Sequence, residues 1–157
     1  MQDIERRQRA AVIAEARSWL RTPYHHAARL KGVGVDCAQI LIGVFSAPSV
    51  ALIPPIIVAN YSPQWHLNRS TQRYLAIVEE HAKRELGADE TPLPGDVVLW
   101  QFARCFSHGA IVIAWPRVIH AYVGRNVCEE DAEAAHYLAR IGEGNKPRPR
   151  RAFSFWG

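Results

Sequence analysis

Apolar positions recur at helical spacing over the first twenty residues. Val12, Ala16, Trp19 and Leu20 fall at i, i+4, i+7 and i+8, which makes one stripe on a helix predicted over residues 3–21. Arg6, Arg7, Arg9 and Arg17 lie mostly off that stripe and read as a solvated face, since acidic residues interrupt the run and no aromatics interleave with it. Pro23 stops this helix, because the residue before a proline is pushed out of the α region. A second apolar run, Ile40-Leu41-Ile42-Gly43-Val44-Phe45, follows the glycine-rich approach Lys31-Gly32-Val33-Gly34 and predicts a buried helix. The prolines Pro48, Pro54, Pro55 and Pro63 make residues 46–62 an irregular crossing. A third helix is predicted over 70–86, with Tyr74, Ile77, Val78, His81 and Leu86 inward and Gly87 as its C-cap; His81 reads as a core-edge histidine. Short apolar runs then replace the helical period. After the turn Leu93-Pro94-Gly95-Asp96, strands are predicted at 97–102, 108–114 and 117–123, then at 137–141 and 152–156. Helices come first and an antiparallel sheet of about five to six strands follows, which is an α+β pattern in one domain over residues 1–157.

Composition narrows the partners only a little. A chain of 157 residues can build a real core, and its net charge of +4 with pI near 9.2 suits an anionic partner. Cell-wall polymer, nucleic acid and acidic lipid all satisfy that. Three cysteines without a C-x-x-C pair indicate neither a disulfide framework nor a zinc ribbon. No stretch reaches the roughly 20 apolar residues of a membrane helix, so no membrane insertion is expected. No apolar region follows Met1-Gln2-Asp3-Ile4-Glu5-Arg6-Arg7, so the reading is synthesis in the cytoplasm without a signal peptide.

Candidate chemistry gathers around Cys37. Asp36 is a strong N-cap type, which sets Cys37 in the first turn of the second helix, where the helix's partial positive charge favours thiolate. A buried structural thiol is the plainer account of a single cysteine, and a nucleophile also needs a base elsewhere in the fold. His108 and His120 supply one if two predicted strands pair with residue numbers summing to an even value such as 230 or 232, which needs a bulge or odd-length connection near Trp115-Pro116. The histidines are then diagonal neighbours: His108 as base to Cys37, and His120 fixing its tautomer. Each alone is equally a strand histidine with local hydrogen bonds. His25 and His26 invite a metal, but adjacent side chains diverge, so they read as loop residues. Trp65 either lines a cleft or caps the core, Tyr24 can pack its ring while offering a hydroxyl, and Cys105 and Cys128 read as ordinary thiols.

These residues carry a resemblance. Thr22-Pro23-Tyr24 followed by Gly34-Val35-Asp36-Cys37 resembles the nucleophile motif of the NlpC-type family of papain-like cell-wall cysteine peptidases. Pro94-Gly95-Asp96-Val97-Val98-Leu99 with Ser107-His108-Gly109-Ala110-Ile111-Val112 is similar to its histidine motif, and Val118-Ile119-His120-Ala121 to the segment of its third polar residue. Tyr61 through His66-Leu67, with Tyr74-Leu75, resembles the branch encoded with phage and prophage tail proteins. The resemblance spans about residues 10–125. It implies a papain-like fold and an endopeptidase on murein stem peptides, usually between D-γ-glutamate and diaminopimelate. It also implies a mechanism without metal or other cofactor, with an oxyanion hole of backbone N–H groups near Cys37. Tyr24 would border the site, with Asp36 and Trp65 in its neighbourhood. The implied partners are peptidoglycan peptide and tail proteins, with no nucleic acid, and the implied setting is a virion or prophage tail acting at the cell wall. Arg21 stands where the family usually has glycine, Ala27-Ala28 where many members have Gly-Gly, and Ala38-Gln39 follows the cysteine instead of Ser-Gly. A tail-assembly component that keeps the fold without activity, and an amidase or acyltransferase on the same fold, are the rival readings.

Overall fold

A computed structural model describes residues 2–58 and 73–157. The amino-terminal helix α1, Asp3–Ser18, packs Val12 and Ala16 inward as the stripe predicts. It ends earlier than Pro23 requires. Trp19 caps it, and Arg21 takes φ +70°, the left-handed conformation that terminates many helices. Arg9 is not on a solvated face. It is 5% exposed, donates to Asp96 Oδ1 at 2.9 Å, Glu5 at 2.8 Å and the Pro94 carbonyl at 2.8 Å, and lies over the Trp156 ring. A buried arginine is tolerated here because every side of its guanidinium has a partner.

Two short strands, β1 (Arg29–Leu30) and β2 (Gly34–Val35), form a hairpin that delivers the chain to helix α2, Cys37–Phe45. Asp36 is its N-cap: Oδ1 accepts from Ala38 N at 3.1 Å and Gln39 N at 2.8 Å. Ile40, Val44 and Phe45 are fully or almost fully buried, at roughly 1.5–3 kcal/mol each, so the helix is held by both its cap and its face. Residues 46–58 are irregular, as the prolines dictate. Helix α3, Arg73–His81, ends earlier than predicted. Past Ala82 the chain extends into β3, Arg84–Glu85, because pairing with the last strand satisfies backbone groups that a continued helix would expose; Leu86 is buried beyond it and Gly87 caps no helix. The half-buried His81 sits at the core edge, hydrogen-bonded to the Ile77 carbonyl.

The sheet contains β3, β4 (Val97–Phe102), β5 (Cys105–Ala114), β6 (Arg117–His120), β7 (Cys128–Asp131) and β8 (Arg150–Ser154), in the order β3-β8-β4-β5-β6-β7, every pair antiparallel. Both of its faces are covered. Val97, Leu99, Ile111 and Phe153 meet α1, α2 and α3, while Val98, Trp100, Ala110 and Val112 meet Ala132 and Leu138. That explains the unbroken apolar run in β4, since a strand buried on both sides loses its alternation. The stretch predicted as a strand at 137–141 is instead a one-turn helix, α4 (His136–Ala139), which buries Leu138. Asp131 accepts from Glu133 N and Ala134 N in a turn that leads the chain from β7 to this helix, and these local bonds stand where Tyr137 and Ile141 favour a strand. Among the described residues no helix is long and apolar enough to cross a membrane.

Candidate active site

Asp36, 2% exposed, uses its second oxygen as well: Oδ2 accepts from Ala27 N at 2.8 Å, fastening the loop after Tyr24 to the start of α2. Cys37 thereby has a fixed backbone, and its carbonyl accepts from the Tyr74 hydroxyl of α3 at 2.9 Å. Its Sγ donates to the Ser107 carbonyl at 3.5 Å, and the Gly109 N–H also hydrogen-bonds the sulfur. The thiol therefore meets β5 on both sides of His108 without being bonded to the His108 ring. A β-bulge creates this spot. Trp100 pairs with His108 but Gln101 pairs with Phe106, so Ser107 is the extra residue. Gly109 is required at the same place, since a Cβ there would fall on the Tyr74 hydroxyl and 2.7 Å from Leu99.

The histidine pair adopts the expected register. Ile111 pairs with Ile119 and Val112 with Val118, and the shift before Ala114↔Arg117 is the bulge that the sequence demanded. Nε2 of His108 lies 2.8 Å from Nδ1 of His120. His108 is 5% exposed and His120 is fully buried. An aromatic surround encloses them: Tyr122 at 5.3 Å, Phe102 at 5.8 Å and Trp100 at 6.0 Å from the His108 ring. Behind His120, Nε2 is 3.4 Å from the Tyr137 hydroxyl, which donates to Glu130 Oε2 at 2.8 Å. Arg125 donates to that same carboxylate oxygen at 3.0 Å and to the Tyr137 oxygen at 3.2 Å.

Electrostatics set the resting protonation. Burial, then the neighbouring Asp36 carboxylate, push the Cys37 thiol up to about 12, against the N–H groups of Cys37, Ala38 and Gly109 that favour thiolate. The helix terminus does favour thiolate, as expected, but burial and Asp36 outweigh it. Burial holds His108 well below its ordinary 6.5, helped by His120 and Arg148, and burial brings His120 down to about 4 despite Glu130. The resting site is a neutral thiol beside neutral imidazoles. Such a set can transfer a proton as a nucleophile attacks, instead of storing an ion pair.

Other candidates fall in several places. Tyr24 is half-buried against the main core, in the loop that pairs with Val35. Trp65 lies outside the described residues. His25 and His26 stay in a loop, with His25 Nδ1 facing the His26 carbonyl. Cys105 is buried and Cys128 half-buried, each with its thiol raised by burial. His120, Cys128 and Glu130 offer potential metal-ligating atoms within 4.8 Å of one another, but Glu130 is already engaged by Arg125 and Tyr137. Sequence reasoning gave no site role to Phe102, Glu130 or Tyr137, nor to Tyr74, which it placed only on the inward face of its helix. Tyr122 also left a signal, through the parity it shares with His120.

No protein-family model matches the sequence, and no curated protein does. Solved structures do. The NlpC/p60 domain of the peptidoglycan hydrolase SagA superposes at TM-score 0.58 with 18% identity over 93% of this chain and 97% of that one. The peptidoglycan hydrolase RipB of Mycobacterium tuberculosis gives 0.61 and 15% over 99% and 68%. NlpC2 of Trichomonas vaginalis gives 0.62 and 14% over 96% and 47%, so this chain spans less than half of that protein. With two sheet-covering cores, a capped cysteine helix and these superpositions, the chain has the papain-like α+β fold of the NlpC/p60 proteins.

Proposed function

We propose that this protein is a cysteine peptidase that hydrolyses the stem peptides of peptidoglycan, with Cys37 as nucleophile, His108 as base and His120 as its orienting partner. The observation that carries the reading is the conjunction at β5: a capped cysteine touches the backbone on either side of His108, whose ring is bonded to His120. Because Nε2 of His108 faces His120, Nδ1 is the nitrogen left for the thiol; it is the ring nitrogen nearer the backbone, and the sulfur contacts that backbone at Ser107 and Gly109. In the reaction the thiol turns from the Ser107 carbonyl to Nδ1. Its proton passes to His108 as sulfur bonds to the scissile carbonyl carbon. The C–N bond breaks as His108 returns the proton to the leaving amine. Water, deprotonated by His108, then displaces sulfur from the thioester and restores the thiol. Backbone N–H groups beside Cys37 receive the oxyanion.

The bond proposed is that between D-γ-glutamate and diaminopimelate, with Tyr24, Asp36 and Trp65 in the substrate's neighbourhood. A phage or prophage tail setting is proposed on the resemblance of residues 61–75, with tail proteins as carriers. The names of SagA and RipB as peptidoglycan hydrolases support the substrate class.

Digestion of purified murein, followed by mass spectrometry, tests this. Fragments with a new amino group on diaminopimelate are expected, and a product cleaved at the lactoyl–alanine amide, or one carrying a transferred acyl group, would replace the reading by an amidase or transferase. Cys37→Ala and His108→Ala should fall to background. His120→Ala should retain more, and His120→Asn more again, since an amide oxygen still accepts from the imidazole N–H. A folded Cys37→Ala protein as active as wild type would sink the mechanism.

A further inference from the structure

We propose that Tyr137 and Glu130 act as a tautomer lock, setting which nitrogen of His120, and through it of His108, carries the proton. The argument is a count of donors and acceptors. Glu130 Oε2 is an acceptor shared by Arg125 at 3.0 Å and the Tyr137 hydroxyl at 2.8 Å. Tyr137 therefore spends its only proton on Glu130. Its oxygen, approached by Arg125 at 3.2 Å, is then an acceptor toward His120 Nε2 at 3.4 Å. His120 must carry its proton on Nε2, which leaves Nδ1 as a lone pair. That lone pair faces His108 Nε2 at 2.8 Å, so His108 carries its proton there and keeps Nδ1 free as a base. Reversing the Tyr137 hydroxyl reverses the whole series. Tyr137 would donate to His120 Nε2, His120 Nδ1–H would donate to His108 Nε2, and His108 would hold a proton at Nδ1, where it cannot accept one from a thiol.

Geometry supports the lock beyond these bonds. Tyr137 stacks on His120 with ring centroids 6.3 Å apart at 17°, and packs against Tyr122 at 4.6 Å, so its hydroxyl has little freedom to leave His120. Arg125 lies 4.8 Å over the Tyr137 ring. The one-turn helix α4 thus contributes a positioning residue to a pair of histidines on the central strands.

The kinetic part of this inference rests on the peptidase reading, whereas the tautomer part does not, and the two are measured separately. Long-range proton–nitrogen NMR of histidine-labelled full-length protein at pH 7.5 reports which ring nitrogen is protonated, whatever the activity. Wild type should show His108 and His120 both protonated at Nε2. Glu130→Ala removes the acceptor, so Tyr137 can donate to His120 and His108 should shift toward Nδ1–H. Tyr137→Phe should give His108 a mixture of tautomers, and it serves if Glu130→Ala does not fold. Glu130→Gln should restore the wild-type pattern, because its amide oxygen can take the place of Oε2. In murein hydrolysis kcat should fall about 10- to 100-fold in Glu130→Ala with KM unchanged, less than the ~10⁴ that a directly bonded orienter carries. Cys128→Ser, a local change beside Glu130, should leave the rate unaltered. Wild-type His108 protonated at Nδ1, or Glu130→Ala retaining Nε2–H, would overturn the lock. A normal tautomer series in a protein inert on murein would leave the lock standing and remove the peptidase reading.

Discussion

Cys37 is pulled in two directions by a single neighbour. Asp36 caps α2, and by fixing the helix start it aims backbone N–H groups at the sulfur, yet its carboxylate repels the thiolate that those groups would favour. Magnitudes decide the outcome. A rise from 9.0 to about 12 disfavours the thiolate by roughly 4 kcal/mol, whereas a helix terminus contributes about 0.3–1 kcal/mol. In the unliganded protein, alkylation of Cys37 by iodoacetamide should therefore climb about tenfold per pH unit from pH 7 to 10, since only the thiolate reacts. Asp36→Asn should accelerate it at any one pH in that range. A rate already level between pH 6 and 9, followed on the Cys37 peptide by mass spectrometry, would mean that the thiolate is present at rest. Residue type and spacing were enough to single out Cys37, His108 and His120 as candidates, and the fold gathers them around β5. Their protonation was not legible, because it depends on burial and on Tyr122, Tyr137 and Glu130, which arrive from elements whose packing no local pattern states.

At the scale of elements, the loop between α1 and α2 holds left-handed residues where glycine would be free. Arg21 has φ +70° and Ala27 has φ +57°, two of the positions where the chain departs from the glycines of the family it resembles. Both residues hold a conformation that glycine adopts at least cost. At Ala27 the reason is visible, since that conformation points its N–H at Asp36 Oδ2. An alanine in this region costs about 1–2 kcal/mol, part of which glycine would return to the unfolded chain as entropy. Ala27→Gly should raise the unfolding free energy by about 0.5–1 kcal/mol, and Ala27→Val should lower it by roughly 1–3 kcal/mol, because β-branching is poorly tolerated there. Urea titration reads both, and a stabilised Ala27→Val protein would contradict the account. Elements were legible where the apolar period was clear, as in α1, β4 and the β5–β6 hairpin, and in α2, where the Asp36 cap agreed with it. They were not legible where pairing overrode composition. Cys128-Glu129-Glu130-Asp131 has no strand pattern, and it forms β7 because β6 offers an unpaired edge and Arg117 meets Glu129 at 3.2 Å.

Over the whole molecule, buried titratable groups join the helical layer, the sheet and α4. Arg9–Asp96 ties α1 to the start of β4, and His108–His120 ties β5 to β6, with Tyr137 reaching in from α4. Two sets of titratable groups respond to acid at different pH, the arginine-paired glutamates near the surface and the buried histidines. Carboxylates held low by arginines, such as Glu85 beside Arg151, Glu90 beside Arg84 and Glu129 beside Arg17 and Arg117, contribute stability that is present above about 4.5 and is lost only below it. The histidines act earlier. Folding lowers their proton affinity, so the unfolded chain binds protons first, and stability that is complete above 6.5 drains as the pH falls from 6.5 toward about 4. For fully buried His120, the displacement from 6.5 to about 4 corresponds to roughly 3 kcal/mol, and His108 adds in the same direction. That is a large share of the 5–15 kcal/mol that holds a typical domain. The urea midpoint should be flat between pH 7 and 8 and fall steadily from pH 6.5 to 4.5, before the carboxylates titrate. His120→Asn, which cannot be protonated, should lose less between those values than wild type does, even if it starts from a lower stability at pH 7.5. A wild-type midpoint that stays constant down to pH 4.5 would show that His108 and His120 accept protons as easily folded as unfolded, and that the buried neutral pair at the centre of the site does not exist in solution.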